Sequence, residues 1–198
     1  GKVRGVAVSV GAGTDRRDVE VLADHVFVCG GAVQTPALLR RSGIRRNIGD
    51  TLCIHPMIKA AALFDEEVNA HLDPLPMYQV KEFWPTITIG GAVFTPGFLA
   101  MLLSDNWSTT RAAMQDWNHM GLYYAATRGM NRGTIRVLPR SDDGVVVRYK
   151  LSLADQQNIS IGLAHLCELL FAAGAKAVFP SIRSQPILRS IDECRGFL

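Results

Sequence analysis

The chain has 198 residues, 48% of them apolar and 20% charged, which is enough for one large or two small domains with a buried core and too apolar for a disordered or fibrous protein. Twenty-one Lys and Arg against 18 Asp and Glu leave a net charge of +3, scattered without a basic stripe, so nucleic acid is not an expected partner. The four cysteines form no C-x-x-C pair and sit mostly in apolar runs; they read as small hydrophobes in a reducing compartment such as the cytoplasm, with neither a disulfide scaffold nor a metal site expected.

Residues 3–10 and 19–22 alternate or run apolar around the polar stretch GTDRRDV, the pattern of a hairpin. Val26 to Cys29 is a short apolar run of the buried-strand type, followed by Gly30 and Gly31. A helix is expected next, with Thr35 as its cap, Pro36 at its first position and Ser42-Gly43 at its end. Strand, glycine turn and helix in that order offer backbone N–H groups beside a positive helix end, a crevice suited to a nucleotide. A strand is expected over 60–64. The aromatic, Pro-bearing stretch 73–85 reads as a packed loop or a wall against an apolar substrate. GGAVFTPGFL at 90–99 nearly repeats GGAVQTPALL at 30–39; nothing else recurs at that period, so the second copy reads as a turn between a strand over 86–89 and a helix, not as a repeat unit. An amphipathic helix over 108–120 follows, then strands over 134–138 and 145–149 joined by SDDG. Ser152 with Asp155 begins a helix whose apolar face holds Ile159, Leu163, Leu166 and Leu170 and which stops at Gly174. The apolar stretch 159–179 is interrupted by His165, Glu168 and Lys176 and is no membrane span. Strands with helices gathered on one side make an α+β domain the expectation for this part.

GGAVQTPALLRRSGI resembles the second signature of the glucose-methanol-choline (GMC) family of flavin-dependent alcohol oxidoreductases, with Gly31, Ala32, Thr35, Pro36, Leu38, Leu39, Ser42, Gly43 and Ile44 matching and Arg45 standing where the family has a glycine. IGDTLCIHP resembles the family's entry into its substrate domain, aligned on His55 and Pro56. RGTIRVLPRSDDGVVVRYKLSLADQQ and AAGAKAVFP resemble the substrate-domain strands and helix of the long-chain alcohol oxidase and cholesterol oxidase-like branch. The resemblance implies an α/β and α+β chain: part of a Rossmann-like FAD-binding domain over 1–46, an antiparallel-sheet substrate-binding domain over 47–185, and the start of a return to the FAD domain over 186–198. It implies FAD as cofactor, held at Cys29, Gly30, Gly31, Ala32 and Thr35, and hydride transfer from the CH–OH group of an alcohol. A long or apolar alcohol is favoured by the branch and by Met77, Tyr78, Phe83, Trp84 and Phe94.

The family's catalytic histidine lies in an H-x-x-G-x-x-x-M-G motif after the substrate domain, and no such motif follows Pro180. The main base is therefore expected outside this chain, whose start at Gly1 and end on IDECRGFL read as those of an internal piece missing its N- and C-terminal parts. His55, equally explained as a hydrogen-bonded turn residue, and His119, in the sequence N-H-M-G, are the two further candidates; a histidine suits proton transfer near neutral pH. Arg40, Arg41, Arg45 and Arg46 read as cations favoured by a helix C-terminus rather than as a phosphate site. The alternative class is a noncatalytic relative or stand-alone binding module.

Overall fold

The computed structural model describes residues 3–73, 78–139, 141 and 143–196. It divides into two compact units, one of Gly1–Leu52 with Thr134–Arg148 and the other of Cys53–Gly133 with Tyr149–Leu198. Every strand pairing within them is antiparallel.

In the first unit, β1 (Gly5–Val10) and β2 (Arg17–Leu22) form the expected hairpin, from Gly5 opposite Leu22 to Val10 opposite Arg17. The sequence expectation fails at the next two elements. Val26–Cys29 forms no strand, and Phe27 is 87% exposed. An interior parallel strand needs neighbours on both edges and cover on both faces, and no described residue of this unit supplies them. Helix α1 runs Gly31–Arg41, with Gly30 at its N-cap and Pro36 inside it. Thr35 is thus an interior helical residue and caps nothing. The helix end is as expected: the Gly43 N–H donates to the Arg40 carbonyl and the Ile44 N–H to that of Leu39, the paired bonds of a Schellman motif. The second hairpin, β7 (Thr134–Val137) with β8 (Val145–Arg148), belongs to this unit. Arg40 donates to the Ile48 carbonyl, Arg136 pairs with Asp50 at 2.6 Å, and Arg41 reaches the Gly144 carbonyl at 3.2 Å. Two of the four candidate cations around this helix end therefore stitch loops together.

The second unit is built on a five-stranded sheet in the order β4-β5-β6-β3-β9, with β3 Met57–Leu63, β4 Gln79–Val80, β5 Ile87–Gly91, β6 Met120–Thr127 and β9 Ala177–Pro180. Its helices are α2 (Pro96–Leu103), the short α3 (Trp107–Thr110), α4 (Leu153–Ala172) and α5 (Ile191–Arg195). They lie on both faces of the sheet, not on one. Strand residues alternate between faces, and the core divides accordingly: Ala60, Ala62, Ile87, Ile89 and Ala125 pack with Leu163, Leu166 and Leu170 of α4, while Ala61, Met120, Leu122 and Phe179 pack with Phe94, Leu99 and Leu103. Ala60, Ala61 and Ala62 are fully buried in consecutive positions of β3. Each Leu buried from α4 contributes roughly 1.5–3 kcal/mol relative to exposure, more than the helix's intrinsic propensity supplies.

Helix α4 starts on the expected capping box. The Ser152 Oγ accepts from the Asp155 N–H at 3.0 Å, and Asp155 Oδ2 accepts from the Ser152 N–H at 2.8 Å. Asp155 also accepts from the Met130 N–H at 2.9 Å; these bonds, Met130's first, hold its carboxyl below the usual Asp range. Gly162 lies where α4 meets the sheet: a Cβ there would stand 3.1 Å from Ala125 Cβ and 3.3 Å from Ile87 Cγ2. The stretch 108–120 is helical as expected but mostly of the tighter 3-10 kind, over Arg111–His119. Cys167 and Cys194 are buried, and burial pushes both thiols up, away from the reactive thiolate form. Among the described residues no helix is long and apolar enough to cross a membrane.

The two near-identical stretches fold differently. In the second, Gly90 and Gly91 are strand residues of β5 rather than a turn. Thr95 is the N-cap of α2, its side chain accepting from the Phe98 N–H at 3.1 Å, and Pro96 takes the first helical position. The arrangement expected of residues 30–39 is thus found at 90–99.

Candidate functional site

The face of the sheet that carries Ala61 is only partly covered. Helix α2 and the 3-10 segment close it near Leu63 and Met120, which pair across β3 and β6. Six residues along β6, roughly 20 Å away, Ala126 pairs with Met57 on one side and Thr88 on the other. There the same face is open, and a cavity of about 450 Å³ lies against it. Thr86, Thr88 and Ala126 form its floor, Trp84, Pro85, Ile54 and His55 its wall, and Arg128, Arg132 and Cys53 complete the lining. A second cavity of about 240 Å³ opens on the same face between Met57, Lys59, Phe98, Met101, Leu102, Leu122 and Ser181. The two are neighbours: of the cross-strand pair Met57–Ala126, Ala126 lines the first and Met57 the second.

His55 reaches this site because Pro56 anchors the chain at the start of β3: the Thr127 N–H donates to the Pro56 carbonyl at 2.9 Å. The imidazole is exposed, and no hydrogen bond of its side chain is found among the described residues. Arg132 Nη1 donates to Cys53 Sγ, which holds the guanidinium against the cavity mouth. His119 is not part of this arrangement. It ends the 3-10 segment at the opposite end of β6, half-buried, with its carbonyl accepting from the Phe64 N–H at 3.1 Å.

The aromatic residues expected to face an apolar substrate separate into three groups. Trp84 lines the cavity. Phe83 stacks on His165 at 4.1 Å and 6° and packs on the α4 core, and Phe94 is buried beneath α2. Tyr78 is 91% exposed, and Met77 lies outside the described residues. Arg128 and Arg132 were given no site role in the sequence, since they follow the end of β6 and no local periodicity marks them.

In the first unit, the candidate cofactor residues gather at the start of α1. Cys29, Gly30, Gly31 and Ala32 are exposed. No side chain caps the helix, so its first N–H groups are bare donors at a positive dipole end. Gly31 has φ +72°, and the place of its absent Cβ is open space. This donor set suits a dinucleotide cofactor's anionic or carbonyl oxygens at backbone distance. Thr35, one turn further on, is half-buried within the helix. Among the described residues no group of three or more His, Cys, Asp or Glu could hold a metal ion.

Residues 1–57 match the family model described as GMC oxidoreductase, the span in which the signature resemblance lies. In that span the chain is similar to the GMC oxidoreductases. It is 45% identical over 186 residues to an uncharacterized GMC-type oxidoreductase of Sinorhizobium fredii, covering 94% of this chain and 37% of the relative. It is 34% identical over 197 residues to an uncharacterized GMC-type oxidoreductase of Mycobacterium tuberculosis, covering 93% and 29%. A long-chain-alcohol oxidase of Arabidopsis thaliana is 29% identical over 187 residues, covering 88% and 24%. The chain thus spans little more than a third, at most, of the length of these relatives.

Proposed function

We propose that, at the length of its relatives, this protein is an FAD-dependent alcohol oxidoreductase, with residues 1–46 contributing to cofactor binding and 47–185 largely to substrate binding. The observation that carries the substrate half is the position of His55, without a side-chain hydrogen bond among the described residues, beside an open, mostly apolar cavity on the sheet face. The cofactor half rests on the bare N-terminus of α1. Bound FAD supplies the acceptor for the two electrons that leave the alcohol carbon as hydride. Backbone N–H groups at Gly31 and Ala32 hold cofactor oxygens. His55 hydrogen-bonds the substrate hydroxyl and orients it, while the principal proton acceptor lies beyond residues 1–198. Trp84, Pro85 and Ala126 keep water from the carbinol carbon, and Met57, Phe98 and Met101 take hydrocarbon, which fits the name carried by the Arabidopsis thaliana relative.

Anaerobic reduction of the flavin in the full-length protein tests this reading. Primary alcohols are expected to bleach the oxidised flavin spectrum. His55→Ala is expected to slow that step by about 10²-fold, the usual scale for a positioned acid–base group, with flavin content unchanged. A purified full-length protein that holds no flavin, or holds it and is reduced by no alcohol, overturns the proposal.

A further inference from the structure

The cavity beside His55 carries more positive charge than the oxidation of a neutral alcohol requires. Arg128 and Arg132 both line it, and no Asp or Glu does. Among the described residues neither guanidinium forms an ion pair, whereas Arg40, Arg136, Arg183 and Arg195 each do. The rest of the lining is mainly apolar, from Ile54, Trp84, Pro85 and Ala126, with hydroxyls from Thr86 and Thr88. Both guanidiniums are exposed at the cavity, and a ligand that settles against them gains most when it brings negative charge. A carboxylate does so at least cost, because its two oxygens match the fork of a guanidinium. Arg132 is already oriented by its bond to Cys53. Arg128 is the first residue after β6 and lines the cavity whose floor Ala126 forms. On the other side of Ala126, the pair with Met57 leads into the cavity of Phe98, Met101 and Leu102. The cavity that carries the charge and the apolar cavity thus lie side by side on one face of the sheet.

We infer that this site is built for hydroxy acids: alcohols that also carry a carboxylate, which Arg128 and Arg132 hold while the hydrocarbon lies over Ala126 and Met57. The inference rests on the alcohol-oxidising role proposed above and narrows its substrate class. The carboxylate takes no part in the redox step: when bound, FAD would take the hydride from the carbinol carbon, the proton acceptor named above would take the hydroxyl proton, and a carbonyl acid would leave.

Two measurements on the full-length flavoprotein test it. The first is calorimetric binding of dodecanoate and dodecanol, which share a chain and differ in charge. Dodecanoate is expected to bind at least about tenfold tighter, and Arg128→Gln and Arg132→Gln each to cut that preference by about tenfold, the scale of a charge-assisted hydrogen bond, with Arg128→Lys restoring part of it. The second is turnover of 2-hydroxydodecanoate, whose hydroxyl adjoins its carboxylate and so falls beside His55, against dodecanol; the preference is expected in KM and is lost in the same variants. Equal binding of the two probes overturns the inference. So does a loss of preference in Lys59→Gln alone, or a loss of flavin from the arginine variants, which would make the cofactor the anion they hold. Oxidation of dodecanol with no preference for the hydroxy acid sinks the inference and leaves the oxidoreductase reading standing. Dodecanoate bound through the arginines by a protein that oxidises no alcohol supports the anion site and sinks the oxidoreductase reading.

Discussion

Replacing threonine by alanine at position 95 and, separately, at position 35 is the same change in nearly the same sequence context, yet the structure demands opposite results. Thr95 accepts from the Phe98 N–H at 3.1 Å and satisfies one of the orphan donors of α2. Its loss should cost about 1 kcal/mol, the typical value for an N-cap Thr. Thr35 lies five residues past the N-cap of α1 and caps no N–H. There alanine removes a β-branched residue from a helix interior and should gain about 0.5 kcal/mol. Amide hydrogen exchange reads both locally: protection in the first turn of α2 should fall about fivefold in Thr95→Ala, and protection in α1 should hold or rise about twofold in Thr35→Ala. Equal losses in the two variants would mean that Thr35 does cap a helix beginning at Pro36, and the description of α1 would be wrong.

Two further outcomes follow from the second unit. Gly162→Val adds bulk where even a Cβ stands 3.1 Å from Ala125; despite a small gain in helix propensity it should lower stability by about 2 kcal/mol in thermal melts, and an unchanged melting temperature would refute the close approach of α4 to the sheet. Asp155 has a depressed carboxyl pKa, so its contribution is fully present above the ordinary Asp value of about 3.9 and is lost as pH falls through the lower folded-state value. The acid limb of a stability-against-pH profile should accordingly flatten in Asp155→Asn, and coincident slopes for the two proteins would refute the assignment.

Features set by local chemistry were legible in the sequence. The capping box at Ser152, the helix end at Gly43 and the strands at 60–64, 86–89 and 134–149 depend on a few neighbouring residues and are present in the structure. What depended on distant partners was not. Val26–Cys29 has the composition of a buried strand, but a ladder requires neighbours that no local pattern announces. The second helical layer on the sheet was missed because Phe94, Leu99 and Leu103 reveal which face they cover only once the order of β6 and β3 is known. The candidate site illustrates the same limit. His55 was visible as half of an H-P pair, whereas Arg128 and Arg132 acquire meaning only when the register of β5, β6 and β3 brings them beside it.

The three consecutive alanines at the centre of β3 make the sheet a thin septum. With only methyl groups projecting to either side at Ala60, Ala61 and Ala62, a helical layer rests almost on the backbone there, and any larger residue must lift one layer or the other. Strand ends are free of that constraint, because Met57, Thr86, Thr88 and Arg128 line open cavities. Change in what the site accepts therefore has one inexpensive route, at the ends of the strands, and proteins sharing this sheet are expected to differ there while leaving the middle of β3 small.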